Sequence, residues 1–151
     1  MNTNLRSTVS ITILAAPHLI ATKGNIVNIS SIAALGLKAG KGGFAYSTSK
    51  AALDHFGRCI ALDLASSGVR VNTVNPGPVK TDIISNAGMV EVNDDSPWES
   101  MKHITALKRV SDPVEVADLV LFLASDRAVG ITGSAVTLDN GAMLESGVLD
   151  V

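Results

Sequence analysis

The chain has few cysteines, few aromatic residues and little net charge, and each shortage excludes a class of protein. Cys59 is the only cysteine, so an internal disulfide is impossible and neither secretion nor a cysteine-rich metal site is supported. Aromatic residues make up 3% of the sequence and the net charge is −2, which provides no basic surface for nucleic acid. The histidines, His18, His55 and His103, show no ligand spacing. We therefore expect no nucleic-acid partner and no metal site.

A long hydrophobic run is also missing. The apolar stretch at residues 9–16 stops at Pro17 and His18, and no uninterrupted run approaches the length of a bilayer-spanning helix. The composition, 46% hydrophobic and 17% charged over 151 residues, is typical of one globular domain. These features predict no membrane partner and a reducing compartment, which we interpret as the cytoplasm.

A phosphate-binding glycine loop is absent from this sequence. No strand followed by GxxxGxG or GxGxxG precedes the first predicted helix. Residues 36–43 contain four glycines together with Lys41, but Gly42 follows this lysine where a P-loop requires serine or threonine. We interpret the segment as a flexible rim, in which Lys38 and Lys41 are solvated, and exclude a P-loop nucleotide binder.

Hydrophobic spacing predicts alternating helices and strands. Helices are expected at about 5–21, 45–67 and 113–125, and strands at 26–29, 69–74 and 135–138. In the first helix the expected buried stripe is Leu5, Val9, Ile13, Ala16 and Ile20, with Pro17 bending or shortening the helix. Asp54 and Asp63 are expected on the solvated face of the second helix. The order of elements predicts an α/β fold with a parallel sheet of about three strands flanked by helices.

Tyr46 and Lys50 form the most informative pair in the chain. Being four residues apart on a predicted helix, they share one face. A tyrosine hydroxyl has an ordinary pKa of about 10, so a fixed cation beside it is required for proton transfer near neutrality. Ser31 follows one predicted strand and Pro76 another, and ligands of parallel sheets gather at the carboxyl ends of strands. We expect these groups to converge on one edge of the sheet.

This ordered set of motifs resembles the short-chain dehydrogenase/reductase family. The resemblance lies in GNIVNISS at residues 24–31, YxxxKAAL at 46–53, VRVNxxNPGPVxT at 69–81 and ITG at 131–133. It implies a Rossmann-like fold and an oxidoreductase that moves a hydride between NAD or NADP and a small-molecule carbonyl or secondary alcohol. It also implies a homo-oligomer in the parent family.

The resemblance implies a role for each matching residue. Tyr46 would be the general acid/base, Lys50 would favour the ionised phenol and bind the nicotinamide ribose, and Ser31 would orient the substrate oxygen. The interval from Ser31 to Tyr46 is fifteen residues, slightly longer than is usual in the family. Asn4 would hold a water, and its alternative is a helix-capping asparagine. The residues expected to contact the nicotinamide end of the cofactor are Pro76, Gly77, Val79 and Thr81, together with Tyr46 and Lys50.

The resemblance covers the C-terminal portion of such a domain and lacks the nucleotide-binding half. The sheet is therefore expected to be incomplete, and the residues that distinguish NAD from NADP are missing. Residues 80–107 would form a substrate lid that contains Met89, Trp98 and Met101. Two hypotheses remain open: an NAD(P)-dependent oxidoreductase, or a truncated noncatalytic form that binds no dinucleotide alone and associates with full-length subunits.

Overall fold

The structure is a computed structural model that describes residues 1–36, 42–86 and 95–145. Part of the predicted rim, with Lys38 and Lys41, and part of the predicted lid, with Met89, lie outside the described residues.

Helices and strands alternate along the chain as the hydrophobic pattern predicts. A π-helical turn, Asn2–Arg6, leads directly into the first α-helix. The α-helices are α1 (Ser7–Thr22), α2 (Phe44–Ala65), α3 (Ile83–Asn86), α4 (Ser96–Lys102) and α5 (Pro113–Ala124). The strands are β1 (Asn25–Ile29), β2 (Arg70–Pro76) and β3 (Ala135–Leu138), with short 3₁₀ turns at Ile32–Ala34 and Asp126–Ala128. No helix in the described ranges is both long and apolar enough to span a bilayer.

The strands form one parallel sheet, and β2 is its central strand. Within the described residues the order is β1-β2-β3, with Ile29 opposite Val74 and Pro76 opposite Leu138. Because all three strands run in the same direction, their carboxyl ends lie along one edge. The predicted α/β fold, an incomplete Rossmann-like sheet flanked by helices, is confirmed.

The core forms where α2 and α5 pack on the central strand. Val71 and Val74 of β2 are completely covered, and Leu53 of α2 and Leu123 of α5 are buried against the sheet. Gly57 allows α2 to approach closely, since a Cβ there would lie 2.9 Å from Thr73 Oγ1. This close packing fixes the position of α2 relative to the carboxyl ends of the strands.

The predicted buried stripe of α1 is wrong in part. Ile13 is 63% exposed and Ile20 is 42% exposed, whereas Thr12 is the buried residue of this helix. Helical spacing identifies the helix but does not say which side another element covers. Pro17 does not shorten α1 either, because the helix continues to Thr22 with the proline inside it. Proline has no backbone N–H, and this 16-residue helix tolerates the loss of that one donor.

Candidate active site

A cavity of about 310 Å³ opens at the carboxyl edge of the sheet, and most of the predicted site residues line it. Its lining includes Ser31, Tyr46, Lys50, Pro76, Gly77, Val79 and Thr81. These residues come from the segments at or just after the ends of two strands and from the start of one helix, which is why they are far apart in sequence. The convergence expected from the motifs is therefore present in the fold.

The first two turns of α2 place Tyr46 and Lys50 on the side that faces the strand ends. Lys50 Nζ lies 5.8 Å from the centre of the Tyr46 ring. The same ammonium donates a hydrogen bond of 2.9 Å to the carbonyl oxygen of Ile29, the last residue of β1. The positive charge is thus held next to the tyrosine and against the sheet.

Burial changes the proton affinity of this lysine. Half-burial of Lys50 lowers its pKa from the ordinary value, because the charged form loses solvation, and the negative charge of Asp54 acts in the opposite direction. The folded pKa therefore lies below the unfolded one. Below its folded pKa the lysine is charged at a cost to stability, and this cost disappears as pH rises through the interval between the two values.

Ser31 ends the extended segment after β1 and begins the 3₁₀ turn Ile32–Ala34. Its Oγ accepts a hydrogen bond of 3.1 Å from the backbone N–H of Ala33. This bond uses a lone pair of the hydroxyl and leaves its hydrogen available for a ligand oxygen. The long interval between Ser31 and Tyr46 does not remove the serine from the cavity.

Asn4 is the one predicted catalytic residue that does not line this cavity. Its Nδ2 donates a hydrogen bond of 3.0 Å to Ser49 Oγ, and that hydroxyl donates one of 2.7 Å to the carbonyl oxygen of Tyr46. The alternative role as a capping residue does not agree with its position, since Met1 is the N-cap and Asn4 is inside the π-helical turn. The structure therefore links Asn4 to the backbone of Tyr46 through a buried serine.

Comparison with known proteins identifies the family. A family model described as enoyl-(acyl carrier protein) reductase matches residues 1–143. A solved short-chain dehydrogenase/reductase of unknown function from Caenorhabditis elegans, with cofactor, superposes with a TM-score of 0.87 at 36% identity, covering 93% of this chain and 53% of that chain. This chain belongs to the short-chain dehydrogenase/reductase family.

Named relatives in this family are similar over most of the chain. Meso-2,3-butanediol dehydrogenase of Serratia marcescens is 40% identical over 134 residues, which cover 88% of this chain and 50% of that protein. L-xylulose reductase of Caenorhabditis elegans is 39% identical over 140 residues, covering 91% of this chain and 53% of that protein. The chain thus spans about half the length of the curated relatives it matches.

Part of the predicted lid lies against the same groups. Met101 and Ile104 line a second cavity of about 160 Å³ together with Ser31 and Tyr46. Trp98, 8% exposed, instead lines a separate pocket with Lys80. Two residues that belong to different predicted motifs, Ser31 and Tyr46, therefore contact both cavities.

Two site features were missed by sequence reasoning. Asp54, which we expected on the solvated face of its helix, is 3% exposed and faces the sheet. Its side chain accepts a hydrogen bond of 2.8 Å from Asn75 Nδ2. The spacing contained a signal, because Tyr46, Lys50 and Asp54 recur every four residues and hence share a face. The contribution of α5 to the site was also missed, since Pro113 and Val116 line the larger of the two cavities.

Proposed function

We propose that this chain carries the proton-transfer and nicotinamide-facing part of an NAD(P)-dependent oxidoreductase that interconverts a carbonyl and a secondary alcohol. The observation that carries the proposal is the shared cavity of Ser31, Tyr46 and Lys50. Relatives named as a butanediol dehydrogenase and a xylulose reductase support small hydroxyl or carbonyl compounds as the substrate class.

The residues present suit the nicotinamide end of NAD or NADP. The cavity of about 310 Å³ has the size of a small-molecule site, and Lys50 and Thr81 offer polar groups beside the close-approaching backbone of Gly77. This sequence contains no glycine-rich loop of the kind that binds the pyrophosphate of a dinucleotide. We therefore expect this cavity to hold the nicotinamide and its ribose. The residues that select NAD or NADP are not among those that line it.

Proton transfer would use the residues of the cavity in distinct roles. In the reducing direction, the Ser31 hydroxyl donates a hydrogen bond to the carbonyl oxygen, and Tyr46 then gives that oxygen its proton. Lys50 stabilises the negative charge left on the tyrosine oxygen. When bound, the nicotinamide cofactor supplies or accepts the hydride. Asn4 would hold a water that exchanges protons with this site, and alcohol oxidation reverses each transfer.

The segment 80–107 would close over the substrate as a lid. Met101 and Ile104 support this assignment because they line the cavity that also contains Ser31 and Tyr46. An apolar wall of this kind would favour a compact, uncharged ketone or alcohol.

The exposed free thiol of Cys59 agrees with a protein of the reducing cytoplasm.

Binding of reduced nicotinamide mononucleotide tests the proposal directly. This half-cofactor contains the nicotinamide and its ribose without the adenosine, so the proposed part of the site should bind it about as tightly as NADH. Nicotinamide fluorescence of the purified chain would be followed during titration with the mononucleotide, NADH and NADPH. The absence of saturable binding of all three would contradict a nicotinamide site in this chain. Binding of NADH at least tenfold tighter than the mononucleotide, about 1.4 kcal/mol, would show that the chain also holds the adenosine half.

The second candidate is a noncatalytic chain that associates with full-length family subunits. The observation that favours it is the exposed apolar surface of α1, where Ile11, Ile13 and Leu14 are each more than 60% exposed. Such a surface marks an interaction site when it is contiguous. Co-purification of the tagged chain with a full-length relative, together with no nucleotide binding by the chain alone, would support this function. A monomeric chain that binds the mononucleotide would contradict it.

A further inference from the structure

We propose that Asp54 and Asn75 are positioning residues behind the candidate active site, where Asn75 holds Ser31 in place and Asp54 supplies the counter-charge of Lys50. The inference rests on the proposed function, because it assigns these residues to the same site. Neither side chain lines the cavity of about 310 Å³, and both are fully buried, with exposures of 3% for Asp54 and 0% for Asn75.

The amide of Asn75 joins the helix to the serine segment. Its Nδ2 donates one hydrogen bond of 2.8 Å to Asp54 Oδ2 and another of 3.0 Å to the backbone carbonyl oxygen of Ser31. Asp54 is on α2, which also carries Tyr46 and Lys50. One amide group on the central strand therefore sets the position of Ser31 relative to Tyr46 and Lys50, its partners in the proposed reaction.

The carboxylate of Asp54 needs a positive partner. Its Oδ1 is buried and has no hydrogen-bond donor among the described residues, so the bond from Asn75 to Oδ2 is the one side-chain hydrogen bond that Asp54 makes there. A buried carboxylate with so little hydrogen bonding is costly unless a cation lies near it. Lys50 is one helical turn away on the same face, and the charge of Asp54 raises the pKa of Lys50 against the lowering effect of burial.

Other charged groups near α2 are poorly placed for this role. The π-helical turn that packs against α2 carries Arg6, whose side chain is exposed. The strand β2 carries Arg70 at its opposite end, where the guanidinium donates to the carbonyl oxygens of Leu123 and Ser125. Arg58 is also one helical turn from Asp54, but it is exposed to solvent. Lys50, which is half-buried, is therefore the counter-charge that the geometry assigns to Asp54.

An NMR titration of the Lys50 side chain tests the electrostatic half of the proposal. The variant Asp54→Asn keeps an oxygen that can accept from Asn75 but removes the charge. We expect the Lys50 pKa to fall in this variant, because the negative charge that raises it is removed. The Lys50 signal is assigned by its loss in Lys50→Arg, and Asp63→Asn, an exposed site on the same helix, is the matched control. An unchanged Lys50 pKa in Asp54→Asn would overturn the electrostatic role.

Amide hydrogen exchange tests the geometric half. Asn75→Ala removes the bond to the Ser31 carbonyl, so the amide hydrogen of Ala33, which bonds to Ser31 Oγ, should exchange about tenfold faster. The amide of Ser30, bonded to Val74, is the internal control. If the alanine variant does not fold, Asn75→Ser takes its place. Equal protection of the Ala33 amide in the wild type and in the folded variant would overturn the geometric role. No nicotinamide is present in either measurement, so failure of the proposed function would not produce these outcomes.

Discussion

Lys50 donates a hydrogen bond to the carbonyl oxygen of Ile29, with 2.9 Å between Nζ and the oxygen. A helix side chain is thereby fixed to the carboxyl end of a strand, in the cavity that Tyr46 also lines. An ammonium has three N–H donors, and the bond to Ile29 uses one of them. The remaining donors can bind a ribose hydroxyl or the tyrosine oxygen, which is the role proposed for this lysine.

Removing the ammonium should weaken nicotinamide binding. Lys50→Met has a side chain of similar length without a charged donor, and hydrogen bonds to charged groups contribute about 1.5–3 kcal/mol. We expect roughly a tenfold to hundredfold loss of affinity for reduced nicotinamide mononucleotide, measured by fluorescence titration. Lys23→Met, at the opposite edge of the sheet, is the control. Equal affinities for Lys50→Met and the wild type would remove Lys50 from the binding site.

Removing the tyrosine hydroxyl should affect turnover and spare binding. Tyr46→Phe keeps the ring that lines both cavities but cannot transfer a proton. General acid/base groups contribute about 10²–10⁴-fold to rate, so turnover of a small ketone should fall by at least about 10²-fold while mononucleotide affinity stays within about threefold. Phe56→Tyr in the same helix is the control, because it adds an aromatic hydroxyl outside the cavity and should leave turnover unchanged. Unchanged turnover in Tyr46→Phe would show that another group moves the proton.

The close approach of Gly77 to Asp139 should make this glycine intolerant of a side chain. A Cβ at residue 77 would lie 2.7 Å from Asp139 Cβ and 2.8 Å from its Cα, and a backbone atom cannot move as a flexible side chain can. Gly77→Ala should lower the free energy of unfolding by about 1–3 kcal/mol, measured by denaturant unfolding. Gly130→Ala is the matched control, because a Cβ there meets nothing within 4 Å. Equal stabilities of the two variants would contradict this packing argument.

Local chemistry made much of the fold predictable. The hydrophobic pattern predicted the helix at 113–125, which the structure shows as α5 with Asp112 and Glu115 capping its start. The motif spacing predicted that Ser31, Tyr46 and Lys50 meet at one edge of the sheet, and they line one cavity there. Burial of α1 could not be predicted, because helical periodicity does not reveal which side has a neighbour. The position of Asp54 depends on Asn75, a residue of another element, and a pattern within one helix cannot show such a partner.

The capping box of α5 should make the stability of the protein depend on pH. In this box the Asp112 side chain accepts from the backbone of the first helical turn, and the Glu115 side chain accepts from the backbone N–H of Asp112. The side-chain hydrogen bond from Arg109 and then the bond from the backbone N–H of Asp112 lower the pKa of Glu115 from its ordinary value. A folded pKa below the unfolded one means that this stabilisation is present above the unfolded pKa and is lost as pH falls through the folded pKa. Glu115→Gln keeps a capping oxygen but loses the charge. We expect it to be less stable than the wild type near neutrality.

The difference between Glu115→Gln and the wild type should shrink as the pH is lowered, because both side chains are neutral once Glu115 is protonated. Thermal unfolding followed by circular dichroism between neutral and acidic pH would measure this convergence. Asp118→Asn, on the same helix and exposed, is the control, and its difference from the wild type should stay nearly constant. A constant difference between Glu115→Gln and the wild type across the range would mean that the ionised carboxylate contributes nothing to the cap. The bond from Arg109 would then be an exposed contact without energetic effect.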